Sequence, residues 1–282
     1  MSRAQRAACG LVLALVAGLA AGCSAGGPAR IRTPAGDSVA SVAALASRAA
    51  SAALDTALRE ARLDPVPPRT AKSGSRTGPM VIALTFDLCA TPGDPEILDA
   101  RVIDVLRAKE ATATFYMGGL WAQGHPAEAA ALGAVPYFEI ANHSMTHPHM
   151  RTLPDEAIRA EVMDAQVAIR ATTGRIPLTL RYPFDEYDDR TAAVVGSCGL
   201  VGVAEDVRTG DPDPNISGKR IADYVVQTAK PGSIVLMHAN GNGVHTAEAL
   251  PALIDGLRAR GFEFVTVTEV LGIAPVGVSL RP

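Results

Sequence analysis

The chain has 282 residues, 48% of them apolar and 20% charged, with a formal net charge of −3. That length suits one large α/β domain or two smaller ones, and the composition is ordinary for a globular protein. The near-neutral balance argues against nucleic acid or an anionic polymer as partner and fits a neutral substrate better.

The chain opens with MSRAQRAACGLVLALVAGLAAGC, in which Arg3 and Arg6 precede an apolar stretch from Leu11 to Ala21. A basic start followed by a short apolar region is the pattern of an export signal. The stretch is shorter than the ~20 residues a membrane-spanning helix needs. It ends on Leu19-Ala20-Ala21-Gly22-Cys23, which resembles the bacterial lipoprotein cleavage box. On that reading residues 1–23 carry the signal, and Cys23 becomes a lipidated first residue. The mature chain would be an exported, membrane-anchored lipoprotein facing the periplasm or cell exterior. An ordinary cleaved signal ending in small residues is the alternative. Of the four cysteines, Cys9 leaves with the signal and Cys23 carries the lipid. Cys89 and Cys198 remain, and an oxidising compartment would permit them to pair. No CxxC pair exists, so a structural zinc site is not indicated.

Residues 24–37, rich in Gly, Pro and Ala, read as a tether. The Ala-rich stretch 38–62, with Leu45, Leu54, Leu58 and the following Leu63 near helical spacing, predicts a helix. Residues 64–79 read by composition as a second linker, which puts the folded domain at 80–282. From there strands are expected at 80–86, 112–117, 136–141, 178–182, 200–204, 233–237 and 262–267. Helices are expected at 95–109, 126–133, 154–172, 189–198, 217–229 and 246–260. Several strands are continuous apolar runs, as buried parallel strands are. The alternation predicts an α/β fold, either a compact β/α barrel or a doubly wound sheet. In both, chemistry belongs just past the C-terminal ends of the strands. Asp87, Asn142-His143, Arg181 and His238 stand there, on four different strands.

The motif NHSMTH, 142–147, spaces His143 and His147 four apart. On a helical turn that spacing puts both imidazoles on one side, suited to a shared metal ion. Alone it is a weak signal, equally a pair of satisfied surface residues. In RYPF, 181–184, an arginine at a strand end precedes a proline, and its guanidinium could fix a carboxylate. SIVLMHAN, 233–240, ends a buried strand on His238, a position for a general acid or base or for a structural histidine.

In order, Thr85-Phe86-Asp87, His143-x-x-x-His147, Arg181-x-Pro183-Phe184, the aspartate of DVRTGDP and Leu236-x-His238 resemble the motifs of the polysaccharide deacetylase family. This is the fourth carbohydrate esterase family, with the NodB-homology domain, and the resemblance spans about residues 80–271. It implies a distorted (β/α)7 barrel and removal of acetyl groups from an amino-sugar polymer of the cell envelope, such as peptidoglycan. It also implies a divalent metal, zinc being expected. Carried over by motif, Asp87 is the general base, His143 and His147 are metal ligands, and Arg181 holds the base. Asp211 orients the general acid His238, Leu236 lines the acetyl pocket, and the Phe184 N–H helps form an oxyanion hole.

The family's first motif has two adjacent aspartates, the second a metal ligand. Here that residue is Leu88, which cannot bind a metal. Asp94, Glu96, His149 and Cys89 are the candidates to fill the gap. Cys89 is a soft donor that should point away from Leu88 if the strand continues. If nothing fills it, either the metal is held by His143, His147 and waters or recruits Asp87 itself, or no metal binds and the chain is an inactive carbohydrate-binding lipoprotein or a metal-free cyclic amide hydrolase on the same fold. Pro212 stands where the family often has Trp, and His245 in GNGVHT is a further candidate substrate contact.

Overall fold

The computed structural model describes Thr56, residues 63–91, 94–95 and 97–273. The chain separates into units 1–48 and 49–282, and the described residues belong to the second. The export signal, the tether and the 38–62 helix, Thr56 apart, lie outside the described residues.

Strand β1 is Thr70–Ala71 and β2 is Val81–Leu88; a short hairpin then pairs Ala90–Thr91 (β3) with Asp94–Pro95 (β4). There follow α1 (Ala100–Ala108), β5 (Ala113–Met117), α2 (Gly119–Gly124), α3 (Pro126–Gly133), β6 (Phe138–Asn142) and α4 (Asp155–Thr173). Next come β7 (Thr179–Arg181), α5 (Asp189–Ser197), β8 (Val201–Val203), β9 (Val207–Arg208) and α6 (Gly218–Thr228). The last elements are β10 (Ser233–His238), α7 (Thr246–Ala259), β11 (Glu263–Phe264) and α8 (Val267–Val270).

Outside the hairpin, the strands pair in the order β1-β8-β7-β6-β5-β2-β10-β9, with β11 added beside β2, and every pairing is parallel. Among the described residues no pairing joins β1 to β9, so the sheet curls into a barrel that stays open along one seam. This is the distorted β/α barrel that the motifs imply.

The central strand β2 explains how the barrel is filled. Successive side chains of a strand point to opposite faces. Ile82, Leu84, Phe86 and Leu88 therefore pack outward into the large cluster shared with helices α1 and α7. Val81 and Ala83 pack inward with Tyr116, Ala141, Val203 and Ile234. Farther along the inward face come Thr85 and Asp87, so the barrel interior turns polar towards the C-terminal end of the strand.

Three boundaries differ from the sequence reading, each for a local reason. The 64–79 stretch is not wholly a linker: Thr70 and Ala71 align with Gly202 and Val203, and Val66 packs on the inner cluster. A two-residue strand has no periodicity to reveal it. The helix expected from residue 95 starts at Ala100, where Asp99 caps it by accepting from Arg101 N. The 262–267 strand stops at Phe264, because Thr266 and Glu269 form a reciprocal capping box that starts α8.

Candidate active site

Four neighbouring strand ends converge. Asp87 is the penultimate residue of β2, His143 follows β6, Arg181 ends β7 and His238 ends β10. Asp87 and His238 stand opposite each other in the β2–β10 register. They line a cavity of about 310 Å³ together with Cys89, His143, His147, Arg181, Phe184, Glu205, Arg208, Asp211 and Leu236.

Asp87 is buried, and Arg181 Nη1 donates to its Oδ1 at 2.9 Å and to Thr85 Oγ1 at 2.7 Å. The guanidinium also lies 4.3 Å from the centre of the Tyr116 ring, which fixes its plane. Burial alone would raise the Asp87 pKa. The Arg181 charge, with His143 and His238 behind it, holds it below the ordinary carboxylate value. Asp87 is therefore ionised and oriented.

His238 shows the complementary arrangement. Asp211 is almost fully buried and accepts from Thr209 Oγ1, Thr246 Oγ1 and the His238 backbone N–H. Its Oδ1 lies 3.1 Å from His238 Nδ1. An ionised carboxylate only accepts, so Nδ1 carries the proton and Nε2 is left for other work. Burial pushes the imidazole pKa down, but the Asp211 hydrogen bond and charge overcome it and leave the pKa above its ordinary value. Two neighbouring titratable groups are thus driven in opposite directions, the pattern of an acid–base pair.

The two histidines come together by a route the sequence did not indicate. They do not share a helical turn. His143 continues β6 and His147 sits in the following loop, with their ring centres 4.9 Å apart. The loop is held by Asn142 Oδ1, which accepts from Ser144 N, and by Glu161, which accepts from Met145 N and Thr146 N. Ser144 and His147 adopt positive φ (64° and 58°), as do Phe184 and Asp185 (59° and 56°) across the cavity. Three of these four non-glycine residues, His147, Phe184 and Asp185, line the cavity, and such strain marks a place where geometry is imposed for function.

Both imidazoles are neutral. Burial lowers the His143 pKa, and burial followed by repulsion between the two rings' protonated forms takes His147 to about 3. The Arg181 carbonyl is 2.9 Å from His143 Nδ1, which must donate to it, so Nε2 carries the lone pair. Cys89 Sγ is 3.6 Å from that Nε2. Donor atoms of Cys89, His143 and His147 all lie within 4.8 Å of one another, a group that could hold a metal ion.

The other candidates fare differently. Leu88 is fully buried in the outer core and does not face the cavity. His149 turns to Glu186, 3.0 Å away, and stacks on the Phe184 ring. His245 is not among the cavity-lining residues: its Nδ1 meets Glu248 and its Nε2 the Pro214 carbonyl, at the start of α7. Asp94 lies in the hairpin strand β4, but its side chain, like all of Glu96, lies outside the described residues. Leu236 and Phe184 do line the cavity. The sequence reading missed Glu205 and Arg208, which pair at 2.6 Å on the cavity wall. Glu205 precedes DVRTGDP and Arg208 lies within it on β9, and only the spatial neighbourhood of Asp211 could have pointed to them.

Comparison with known proteins decides the family. The sequence profile described as polysaccharide deacetylase matches residues 74–203. A peptidoglycan-N-acetylglucosamine deacetylase of Bacillus cereus is 31% identical over 196 residues, covering 68% of this chain and 88% of that protein. The chain belongs to the polysaccharide deacetylase family. Membership makes this deacetylase a hydrolase acting on acetylated carbohydrate polymers. Its fold also matches a family 4 acetyl xylan esterase from Clostridium thermocellum solved with a cobalt ion. That likeness has 30% identity and a TM-score of 0.60, covering 67% of this chain and 89% of the esterase. A mutant of a CE4 family pseudoenzyme with restored enzymatic activity is 25% identical, with a TM-score of 0.65 over 74% of this chain and 73% of that one.

Proposed function

We propose that this deacetylase hydrolyses acetamide groups on an N-acetylated envelope polysaccharide, peptidoglycan or another amino-sugar polymer, with Asp87 as general base and His238 as general acid. One observation carries the reading. The two groups sit side by side on adjacent strands, each locked by an oppositely charged partner, at the rim of one cavity. His143 and His147 hold a divalent ion, which we take to be zinc. When bound, such an ion acidifies water and polarises the acetyl carbonyl.

The protein groups then divide the remaining work. Asp87, kept ionised by Arg181, takes the proton of the attacking water. The Phe184 N–H donates to the oxyanion, and loss of one such donor typically costs about 3 kcal/mol in the barrier. Leu236 gives the acetyl methyl an apolar wall. His238 Nε2 protonates the departing amine, while Asp211 keeps the ring oriented and favours its charged form. The export signal and a lipidated Cys23 would place this chemistry at the envelope, where such polymers lie.

The inactive carbohydrate-binding reading rests on Leu88, and that residue belongs to the core in this chain. The test is acetate release by the purified chain from N-acetylglucosamine oligomers and from peptidoglycan, with and without chelator. We expect release that chelator abolishes and zinc restores. No acetate from either substrate, with zinc present, overturns the proposal.

A further inference from the structure

The third metal ligand is missing at position 88, and the geometry of β2 shows where a replacement stands. Residues two apart on a strand share a face. Asp87 faces the cavity and Leu88 is fully buried on the other side, so the next side chain towards the cavity is that of Cys89. Its backbone is fixed, because Asn240 Nδ2 donates to the Cys89 carbonyl at 2.7 Å. Its Sγ lies 3.6 Å from His143 Nε2. A tetrahedral zinc with Zn–S of about 2.3 Å and Zn–N of about 2.0–2.1 Å puts sulfur and nitrogen about 3.6 Å apart. The His147 donor lies within 4.8 Å of both.

We propose that Cys89 is the third protein ligand, making the metal centre a thiolate with two imidazoles in place of the carboxylate with two imidazoles that the motifs imply. The inference rests on the metal-assisted reading of this same site. A thiolate carries the same single negative charge as a carboxylate, so the net charge of the ion and its ligands is preserved and water is still acidified. What changes is softness. Sulfur favours zinc and other thiophilic ions, whereas oxygen ligands also suit magnesium and manganese. The exchange of an acid at 88 for a thiol at 89 therefore keeps the electrostatics and narrows the choice of metal.

X-ray absorption at the zinc edge on the purified chain reads the ligand directly. The expected spectrum has one sulfur at about 2.3 Å and lighter atoms at about 2.0–2.1 Å. Cys89→Ser should remove the sulfur signal and weaken zinc binding by at least about 100-fold, since even supporting residues around a ligand are worth 10–100-fold. Cys198→Ser, in a different cluster beside Arg159, should leave the spectrum unchanged. Cys89→Asp should bind zinc without sulfur, which guards against misfolding of the Ser variant. The cobalt-loaded chain should show a sulfur-to-cobalt charge-transfer band that Cys89→Asp lacks. A chelator-stripped chain should reload with zinc or cadmium in the presence of excess magnesium. Zinc surrounded only by light atoms, a spectrum indifferent to Cys89→Asp, or a chain that retains no zinc overturns the inference. Acetate release by a chain whose zinc has no sulfur ligand defeats this inference alone. A sulfur-ligated zinc in a chain that releases no acetate defeats the proposed function alone.

Discussion

The two ends of the parallel sheet each carry a cavity lined by an acid, half-buried Glu139 at one end and buried Asp87 at the other. The cavity at the N-terminal end is the larger, about 730 Å³ against about 310 Å³, and its lining includes Phe138, Glu139, Ile140, Ile176 and Leu178. Glu139 Oε2 accepts from Thr114 Oγ1 at 2.7 Å and from Thr268 N at 3.2 Å, tying α8 to the barrel. Burial prevails over these neutral donors and pushes the carboxyl up to about 7. At the C-terminal end Asp87 is the more deeply buried of the two, but Arg181 meets it and its pKa falls. Cavity volume therefore does not distinguish a site from a gap in packing. Paired charge does, because a group held ionised out of water requires a partner placed for it.

The largest expected effect breaks the pair at the smaller cavity. Asp87→Asn removes the proton acceptor while keeping its shape, and should lower kcat/KM for acetate release by about 10²–10⁴-fold. Zinc content, read by elemental analysis, should be retained. An Asn variant of normal activity would show that the Asp87–Arg181 pair is structural, like the Glu139 bonds at the other end.

Much of this contrast was legible in the sequence, because the chemistry is written in short motifs at strand ends. Asp87, Arg181 and His238 each end an apolar run, and parallel strands deliver such ends to one rim. The paths between them were not legible. His143 and His147 meet through a loop with two left-handed residues, set by Glu161 on α4, a residue no local pattern links to them. Cys89 was readable only as a parity argument along β2, which holds only if the strand keeps its direction past Asp87. His245 looked available because it follows His238 closely, but the turn into α7 directs it to Glu248. The strand β1 is too short to announce itself and is defined by its partner β8.

Leu88 tests the outward face of β2, which lines neither cavity. As an outward core residue with no exposed surface, Leu88→Ala should cost about 2–5 kcal/mol in unfolding free energy by chemical denaturation. It should leave zinc stoichiometry unchanged. Loss of metal without loss of stability would mean that position 88, not 89, faces the site.

Glu139→Gln probes the larger cavity and should leave kcat/KM unaltered. In the wild type the folded chain keeps a proton on Glu139 between its ordinary pKa of 4.5 and about 7, where the unfolded chain has released it. Proton binding by the folded state makes stability fall as pH rises through that window, by about 3 kcal/mol in all. The Gln variant should lose that component of the slope. An equal slope in both proteins would show that Glu139 is ionised throughout and that the two ends differ less than their partners indicate.

The finest distinction concerns how the smaller cavity keeps His238 charged. Its pKa is raised because Asp211 outweighs burial. The acid form needed to protonate the leaving amine is lost as pH rises through that raised value, so kcat/KM should decline on the alkaline side. Asp211→Asn retains an oxygen to accept from Nδ1 but removes the negative charge. Burial is then opposed mainly by the charge of Asp87, and the alkaline limb should move to lower pH. The acidic limb, set by Asp87 and Arg181, should stay in place. A variant that loses rate equally at every pH would leave Asp211 with a purely positional role. A limb that moves shows that the carboxylate sets the proton affinity of His238, which no neutral hydrogen-bond acceptor at that position can do.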